Sequence, residues 1–502
     1  MMGGTRNEMR LQRWLADRAF RYLFLAGLLG AAVLIGLVYS VNWKFGVALF
    51  GFVTLLVADL YSLRLAILPV FFAIPLDRLG KLGPEALLTW AKVLIAVLIL
   101  AWAVHALVKR SPRLLDVLFH SPLFLLATLS LALSFLSVIN ARDYDIFLSQ
   151  NLRRVNNFVL FILITTIIDS QKALRHALLV FLFAYFLVGL TVMYELASDK
   201  PILETVWGQE VTAPEYTMQT EEARVSGPSG DPDFLALSVI LPFLVGVSLM
   251  FEPISRLTRV LVLPVILMML IALLATGSRG ALLALMLAAG VFWLLTKMRY
   301  KYLIAGVAII LVVGIVILLS VAGTSSAERY SGSSGGKSLV YRLGWTKMAF
   351  LMIEDHPWLG IGTGNFPLQY NRYSRTIPMV PRSPHWTHNS FLQTWAENGV
   401  FAFMVYAGLY LTAAGAMVKV IWTTTDPALR RLAVLMLSAV CAYFFFAGTS
   451  NVLENENYWI VFSIVTVTSA LAREQSRGRP PARPLPEASA RRPAGSAHRG
   501  LP

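Results

Sequence analysis

The stretch from Gly323 to Asn398 contains Glu354-Asp-His-Pro-Trp-Leu-Gly-Ile-Gly-Thr-Gly-Asn-Phe366 and Thr387-His-Asn-Ser-Phe391, and it is a long polar insertion in an otherwise apolar sequence. Long apolar runs stand on both sides of it. A loop of this length is uncommon in a compact protein unless it is functional or disordered. Its tryptophans, its tyrosines and its Leu-Gly-Ile-Gly segment favour an ordered structure. We therefore predict that 323–398 forms one large ordered loop that caps a functional site.

The composition is that of a protein embedded in a membrane. Of the 502 residues, 57% are hydrophobic and only 14% are charged, whereas soluble proteins carry roughly 25% charged residues. The formal net charge of +15 is explained by basic loops on one side of a membrane. No nucleic-acid motif accompanies this charge, so no nucleic acid is expected as a partner. The single cysteine, Cys441, excludes an intramolecular disulfide.

The apolar runs predict an all-α polytopic membrane protein with about 12–14 transmembrane helices, because a helix needs roughly 20 residues to cross a bilayer. The candidate spans are 22–39, 45–60, 63–76, 87–107, 122–139, 155–168, 174–196, 234–251, 257–275, 280–296, 302–322, 399–421, 430–448 and 456–472. The predicted segments are a basic arm at 1–21, helices 1–11 within 22–322 with an outer loop at 197–233, the large loop at 323–398, helices 12–14 within 399–472, and a disordered tail at 473–502.

The distribution of lysine and arginine predicts which side of the membrane each loop faces. With the N-terminus inside, alternation of the spans places short basic segments such as 109–113 and 297–301 inside, as the excess of basic residues in cytoplasmic loops requires. Both termini are then cytoplasmic, and the large loop faces the periplasm or the cell exterior.

Two arginines outside the large loop are candidates for an anion site on the same outer face. Arg279 lies in Thr276-Gly-Ser-Arg-Gly280, which interrupts two apolar runs, and an arginine in that place is costly without a partner. A guanidinium can grip phosphate oxygens through two donors, and flanking glycines let a ligand approach the backbone. Snorkelling to lipid phosphates is the alternative for Arg279. Arg224 is the second candidate, with pairing to Glu221 or Glu222 as its alternative.

Within the large loop, His388 is the candidate general base. It precedes the expected start of the twelfth span, with Thr387 as a candidate helix cap, and a neutral imidazole can accept a proton near neutral pH. A hydrogen-bonded histidine at the membrane interface is the alternative. Arg342 and Arg372 could add to the anion site, and His385 is expected to be an ordinary loop residue.

Two further patterns are expected to be structural. The Asp-x-Asp pairs Asp143 with Asp145 and Asp231 with Asp233 could bind a divalent ion, but we favour solvated turn residues and predict no metal site. Gly360-Ile-Gly-Thr-Gly364 does not fit the dinucleotide-binding pattern and follows no strand. It is predicted to be a tight turn.

Four motifs in order resemble those of the O-antigen ligase and polymerase family of bacterial membrane glycosyltransferases. They are Arg224-Val-Ser-Gly227, Gly277-Ser-Arg-Gly280, His356-Pro-Trp-Leu-Gly-Ile-Gly-Thr-Gly-Asn-Phe366, and His388-Asn-Ser-Phe-Leu392 continuing to Glu397-Asn-Gly399. The resemblance covers about 224–399. One departure is Asp231-Pro-Asp233, where the family often shows a Pro-Asn.

The resemblance implies a helical membrane fold of the lipid-carrier-dependent glycosyltransferase type and a donor glycan linked to undecaprenyl diphosphate. It implies that Arg224 and Arg279 bind the diphosphate, with Arg342 as a further candidate, and that His388 is the base that activates the acceptor hydroxyl. The reaction would be a single inverting displacement without a cofactor and without a metal. It implies the cell inner membrane as the location, with the active site on the periplasmic face.

Three functional interpretations remain open at this point. A ligase moves a finished glycan to a different acceptor such as lipid A core, whereas a polymerase joins one lipid-linked repeat to another. No residue can be tied to the choice of acceptor, and we take the ligase first. An anion transporter that uses the same arginines is the further alternative, and the large loop and the lack of an evident internal repeat speak against it.

Overall fold

The computed structural model describes residues 62–80, 89–109, 117–207, 224–252, 255–296, 335–375, 377, 380, 384–451 and 455–477. In this part of the chain, seven helices are long and apolar enough to cross a membrane. The predicted all-α polytopic membrane class is thereby confirmed. The arm at 1–21, the spans at 22–39, 45–60 and 302–322, and most of the tail lie outside the described residues, so the total number of spans stays a prediction.

The described helices follow the predicted spans closely. They are α1 (Leu63–Ala73), α2 (Trp90–Lys109), α3 (Pro122–Leu136), α4 (Tyr144–Ile167), α5 (Gln171–Ser198), α6 (Ile202–Trp207), α7 (Pro232–Ser238), α8 (Ile240–Met250), α9 (Arg256–Ala275), α10 (Arg279–Leu295), α11 (Gly335–Asp355), α12 (Phe366–Ser374), α13 (Ser390–Thr423), α14 (Pro427–Ala447) and α15 (Glu456–Ser476).

Three helix ends differ most from the prediction, each because a polar turn extends an apolar run. Helix α4 begins at Tyr144 rather than near 155, because the Asp143 carboxylate accepts hydrogen bonds from the amides of Asp145 and Ile146 and caps a polar first turn. Helix α15 continues to Ser476, so the tail begins after the predicted residue 473. Helix α13 begins at Ser390, well before the predicted start at 399.

The main hydrophobic core lies between the long helices. Helix α14 packs against α10 and α13, α13 also packs against α3, α9 packs against α5, and α15 packs against α4. Tyr410 of α13 and Tyr443 of α14 are fully buried there, and each makes an edge-on ring contact with Tyr458 of α15. Close packing of this kind, rather than burial from water, holds helices together within a lipid environment.

Helix α5 separates two polar ends of the molecule by about 42 Å, at 1.5 Å of rise for each of its 28 residues. At its N-terminal end, Gln171 Nε2 donates to Asp426 Oδ2 at 2.7 Å, in the turn between α13 and α14. At its C-terminal end, the Glu195 carboxylate accepts hydrogen bonds from the amides of Ser226 and Gly227 at 3.1 and 3.0 Å. The segment that follows Arg224 is therefore held at the end opposite to the α13–α14 turn.

The described part of 323–398 has a hydrophobic core of its own. This core is formed by α11, α12 and the first turns of α13, and its buried members include Trp345, Met352, Phe366, Tyr370 and Ala396. Trp345 Nε1 donates to the Tyr370 hydroxyl at 3.1 Å across it. The described residues of this segment are thus folded as a small helical cap.

Candidate active site

A glycine-rich turn fixes the cap to α13. Gly360, Gly362 and Gly364 all have positive φ angles, of 68°, 97° and 76°, a region that suits residues without a side chain. The amide of Ile361 donates to the Ala396 carbonyl at 2.9 Å, and the amide of Gly362 donates to the Glu397 carbonyl at 3.0 Å. The prediction of a tight turn is confirmed, and its function is to hold backbone against backbone.

Helix α13 is interrupted at Gly399, where φ is 82° and ψ is 175°. The amide of Val400 donates to the Pro357 carbonyl at 3.0 Å, so the interruption is bonded to the glycine-rich turn of the cap. The buried Glu397 Oε1 accepts hydrogen bonds from the Phe366 amide at 3.3 Å and from Gln393 Nε2 at 3.2 Å. The turns before Gly399 therefore belong to the cap, and the turns after it belong to the membrane helix.

His388 stands directly before α13, on the ring of Trp345. The ring centroids of His388 and Trp345 lie 4.9 Å apart, and those of His385 and Trp345 lie 5.0 Å apart. His388 has a φ of 50°, a strained conformation of the kind found at functional sites. The helix cap is Asn389, whose side chain accepts from the amides of Phe391 and Leu392, so the assignment of the cap to Thr387 was wrong.

The imidazole of His388 is held neutral at physiological pH. Burial lowers its pKa to about 4, and nearby Arg342, His385 and Arg224 act in the same direction, while Asp233 opposes them. Its Nδ1 is buried and has no hydrogen-bond partner among the described residues. His385 is buried rather than an ordinary loop residue, and burial lowers its pKa to about 4 as well.

Arg224 is bonded to Asp233, whereas Glu221 and Glu222, its alternative partners, lie outside the described residues. Arg224 Nη2 lies 3.1 Å from Asp233 Oδ1, and Arg224 Nε donates to the Thr276 carbonyl at 2.8 Å. Asp231 caps α7 by accepting hydrogen bonds from the Asp233 and Phe234 amides, and burial, followed by the neighbouring Asp233, raises its pKa. The expectation of solvated turn residues was therefore wrong at this pair.

Arg342 and Arg279 complete a cluster of guanidinium groups around Asp233. Arg342 Nη1 donates to the Thr449 carbonyl at 3.1 Å. Burial lowers the pKa of Arg342, Asp233 raises it, and the nearby positive charges of Arg279 and Arg224 lower it further. Arg279 is half-buried and has no hydrogen bond or ion pair with the residues that the structure describes. The candidate site residues from distant parts of the chain are thus brought together.

Asp233, which the sequence analysis assigned to a solvated turn, and the turn after α14 are further components of the site. The hydroxyl of Ser450 donates to Asp233 Oδ2 at 3.2 Å. The hydroxyl of Ser390 donates in turn to the Ser450 carbonyl at 2.9 Å. The turn after α14 therefore joins α7 to the start of α13.

Arg372 does not join this cluster. It is exposed and pairs with Asp355 at 3.4 Å on the outside of the cap. Among the described residues, no group of three or more His, Cys, Asp or Glu side chains lies together as a metal ion would require. The expectation that no metal takes part stays a prediction.

Comparison with known proteins agrees with the motifs. Residues 264–407 match a family described as O-antigen ligase, and no match to a curated protein accompanies it. The matched segment contains Arg279, Arg342 and His388, whereas Arg224 and Asp233 precede it. The resemblance is confirmed over residues 264–407, where the match supports an O-antigen ligase and polymerase family.

Proposed function

We propose that the protein transfers a glycan from undecaprenyl diphosphate to a sugar hydroxyl, as an O-antigen ligase. The observation that carries the proposal is the excess of positive charge among the described residues of the cluster. Three guanidinium groups, those of Arg224, Arg279 and Arg342, lie near two carboxylates, those of Asp231 and Asp233, beside a neutral imidazole. Such an excess in a partly dehydrated site is costly unless an anion binds. A diphosphate supplies the missing negative charge.

The arginines would stabilise the leaving group. As the bond between the anomeric carbon and the diphosphate oxygen breaks, its electron pair stays on that oxygen, and fixed guanidinium donors favour the charge that develops there. Arg279 is suited to direct contact because none of the described residues hydrogen-bonds to it. Arg224 and Arg342 each donate a hydrogen bond to a backbone carbonyl, so their guanidinium groups would be held in place around the diphosphate.

His388 would act as the general base. The acceptor oxygen forms a bond with the anomeric carbon, and its proton passes to the imidazole, which accepts it because burial keeps the ring neutral. The displacement would invert the anomeric configuration. The site would require neither a metal nor a cofactor, and it would face the periplasm from the inner membrane.

The experiment is the glycan profile of cells that lack their own ligase and express this protein or His388→Ala. We expect the native chain to deliver glycan to its acceptor and His388→Ala to lose about 10²–10⁴-fold of the transfer rate, the usual contribution of a general base. His176→Ala, an exposed histidine on α5, is the control. Full transfer by His388→Ala would show that the base assignment is wrong.

The same profile separates the two functions within the family. If long chains accumulate on undecaprenyl diphosphate when His388 is replaced, the protein is a ligase. If single lipid-linked repeats accumulate instead, it is a polymerase, which is the alternative that the family match also fits. The match gives the transporter interpretation no support.

A further inference from the structure

Asp233 places a negative charge at the centre of a site proposed to bind an anion. Its carboxylate accepts a hydrogen bond from Arg224 on one oxygen at 3.1 Å and from Ser450 on the other at 3.2 Å. An asparagine of the same size would keep one acceptor oxygen, for Arg224, and would present an amide nitrogen to Ser450. Aspartate therefore adds the second acceptor and the charge, and the charge opposes donor binding.

The surroundings of Asp233 show which groups this charge can serve. Arg224 pairs with it from the segment before α7. The Ser450 hydroxyl donates to Asp233 and the Ser390 hydroxyl donates to the Ser450 carbonyl, which ties the carboxylate to the start of α13 next to His388. Its charge acts on both Arg342 and His388. Asp231, on the same turn as Asp233, adds a second negative charge, and Arg279 adds a positive one beside Arg342. Of these groups, His388 is the one whose charge changes during the proposed reaction.

We propose that Asp233 is a positioning residue for transfer, which holds Arg224 in the anion site and supplies the counter-charge to the imidazolium that His388 becomes. This inference rests on the proposed function. The proton leaves the acceptor hydroxyl and stays on His388, so no proton passes to Asp233. The carboxylate stabilises the protonated ring across the site, because a nearby opposite charge favours the charged form of a titratable group.

The negative charge of Asp233 should therefore make His388 a stronger base. Without it, His388 binds a proton less tightly, so the ring stays neutral to lower pH but accepts the acceptor's proton less readily. Loss of the charge should lower the maximal rate and, at the same time, extend activity to lower pH. A residue with a purely structural role would not produce this combination.

The test uses the purified full chain in lipid nanodiscs, with a polyprenyl-diphosphate-linked oligosaccharide as donor and a glycolipid acceptor. The donor KM and kcat are measured across pH for the native chain and for Asp233→Asn. We expect the maximal kcat of Asp233→Asn to be about tenfold lower than that of the native chain. The acid limb, the low-pH side of the curve of kcat against pH, should shift to lower pH by about one unit. The donor KM should stay the same or decrease, because a negative charge has left the anion site.

Two controls separate charge from hydrogen bonding and from capping. Asp231→Asn removes a carboxylate from the same turn, and asparagine is an equally good helix cap, so its acid limb should match that of the native chain. Ser450→Ala removes a hydrogen bond to Asp233 and keeps the charge, so it should leave the acid limb in place.

The outcomes are distinct. An unmoved acid limb in Asp233→Asn, or a raised donor KM with an unchanged kcat, would overturn the inference and leave the proposed function standing. A native chain that transfers no glycan would overturn both. If Asp233→Asn fails to fold, the length-matched pair Asp233→Glu and Asp233→Gln gives the same comparison, and folding of the glutamate variant alone would overturn the inference, because the charge would then serve folding.

Discussion

At the residue scale, Arg279 differs from Arg224 and Arg342 because no described residue hydrogen-bonds to its guanidinium group. Replacement by lysine keeps the charge but removes the two-donor geometry that suits phosphate. We expect Arg279→Lys to raise the donor KM about tenfold to a hundredfold, the loss of one hydrogen bond to a charged group. Arg430→Lys, an exposed arginine near the start of α14, is the control. An unchanged donor KM in Arg279→Lys would show that bidentate recognition is not used there.

A second prediction at this scale concerns pH and the buried histidines. Burial lowers the pKa of His385 from 6.5 to about 4, so the unfolded chain binds more protons than the folded chain between these values. The folded state is therefore most stable with respect to this group above pH 6.5, and the free energy of unfolding decreases as the pH falls toward 4. We expect the melting temperature to fall across this range, and to fall less steeply in His385→Gln.

The measurement is a thermal melt in detergent at a series of pH values. His176→Gln alters an exposed histidine on α5. Its melting temperature should depend on pH as steeply as that of the native chain. Equal slopes for the native chain and His385→Gln would contradict this account of the buried ring.

At the scale of elements, the interruption of α13 is what joins the cap to the membrane bundle. A Cβ atom at Gly399 would lie 1.9 Å from the Trp358 carbonyl oxygen, and its φ of 82° with ψ of 175° is a region open almost only to glycine. We expect Gly399→Ala to destabilise the protein by more than the about 1–3 kcal/mol of backbone strain alone. Transfer activity should fall with it, because the turns of α13 from Ser390 to Gly399 follow directly on His388.

Gly415→Ala on the same helix is the matched control. Outside its own helix turn, no described residue lies within 4 Å of a Cβ atom at Gly415, and alanine is the better helix former by about 1 kcal/mol. Its melting temperature should stay the same or rise. Comparable melting temperatures for the two variants would mean that the interruption is not required.

The helices were predictable from sequence, whereas the contacts that assemble the site were not. Apolar runs identified the described spans because a helix in lipid must satisfy its backbone internally and present apolar side chains. Hydropathy could not show that Ser450 meets Asp233, 217 residues away in the chain, or that Glu195 holds the segment after Arg224. The candidate arginines and His388 came from motifs, and Asp233 was set aside because Asp-x-Asp pairs are common in turns.

At the scale of the whole molecule, the two ends of the helix bundle differ in their chemistry. One end carries Arg224, Asp233 and His388. The other carries the α13–α14 turn at Asp426, together with Arg175, which pairs with Glu252 at 3.2 Å. Basic residues of short loops concentrate on the cytoplasmic side of membrane proteins. This asymmetry supports the prediction that the site end faces the periplasm.

Cysteine labelling in intact cells tests that orientation. With Cys441 replaced by serine, the chain has no cysteine, and new cysteines can be placed at Lys200, after α5 at the site end, or at Thr425, in the α13–α14 turn, both of which are exposed. A maleimide that cannot cross the inner membrane should label Lys200→Cys in cells with a permeabilised outer membrane, and should label Thr425→Cys only after the inner membrane is broken. The reverse pattern would place the cluster in the cytoplasm, where a periplasmic acceptor cannot reach it, and the proposed transfer would then be excluded.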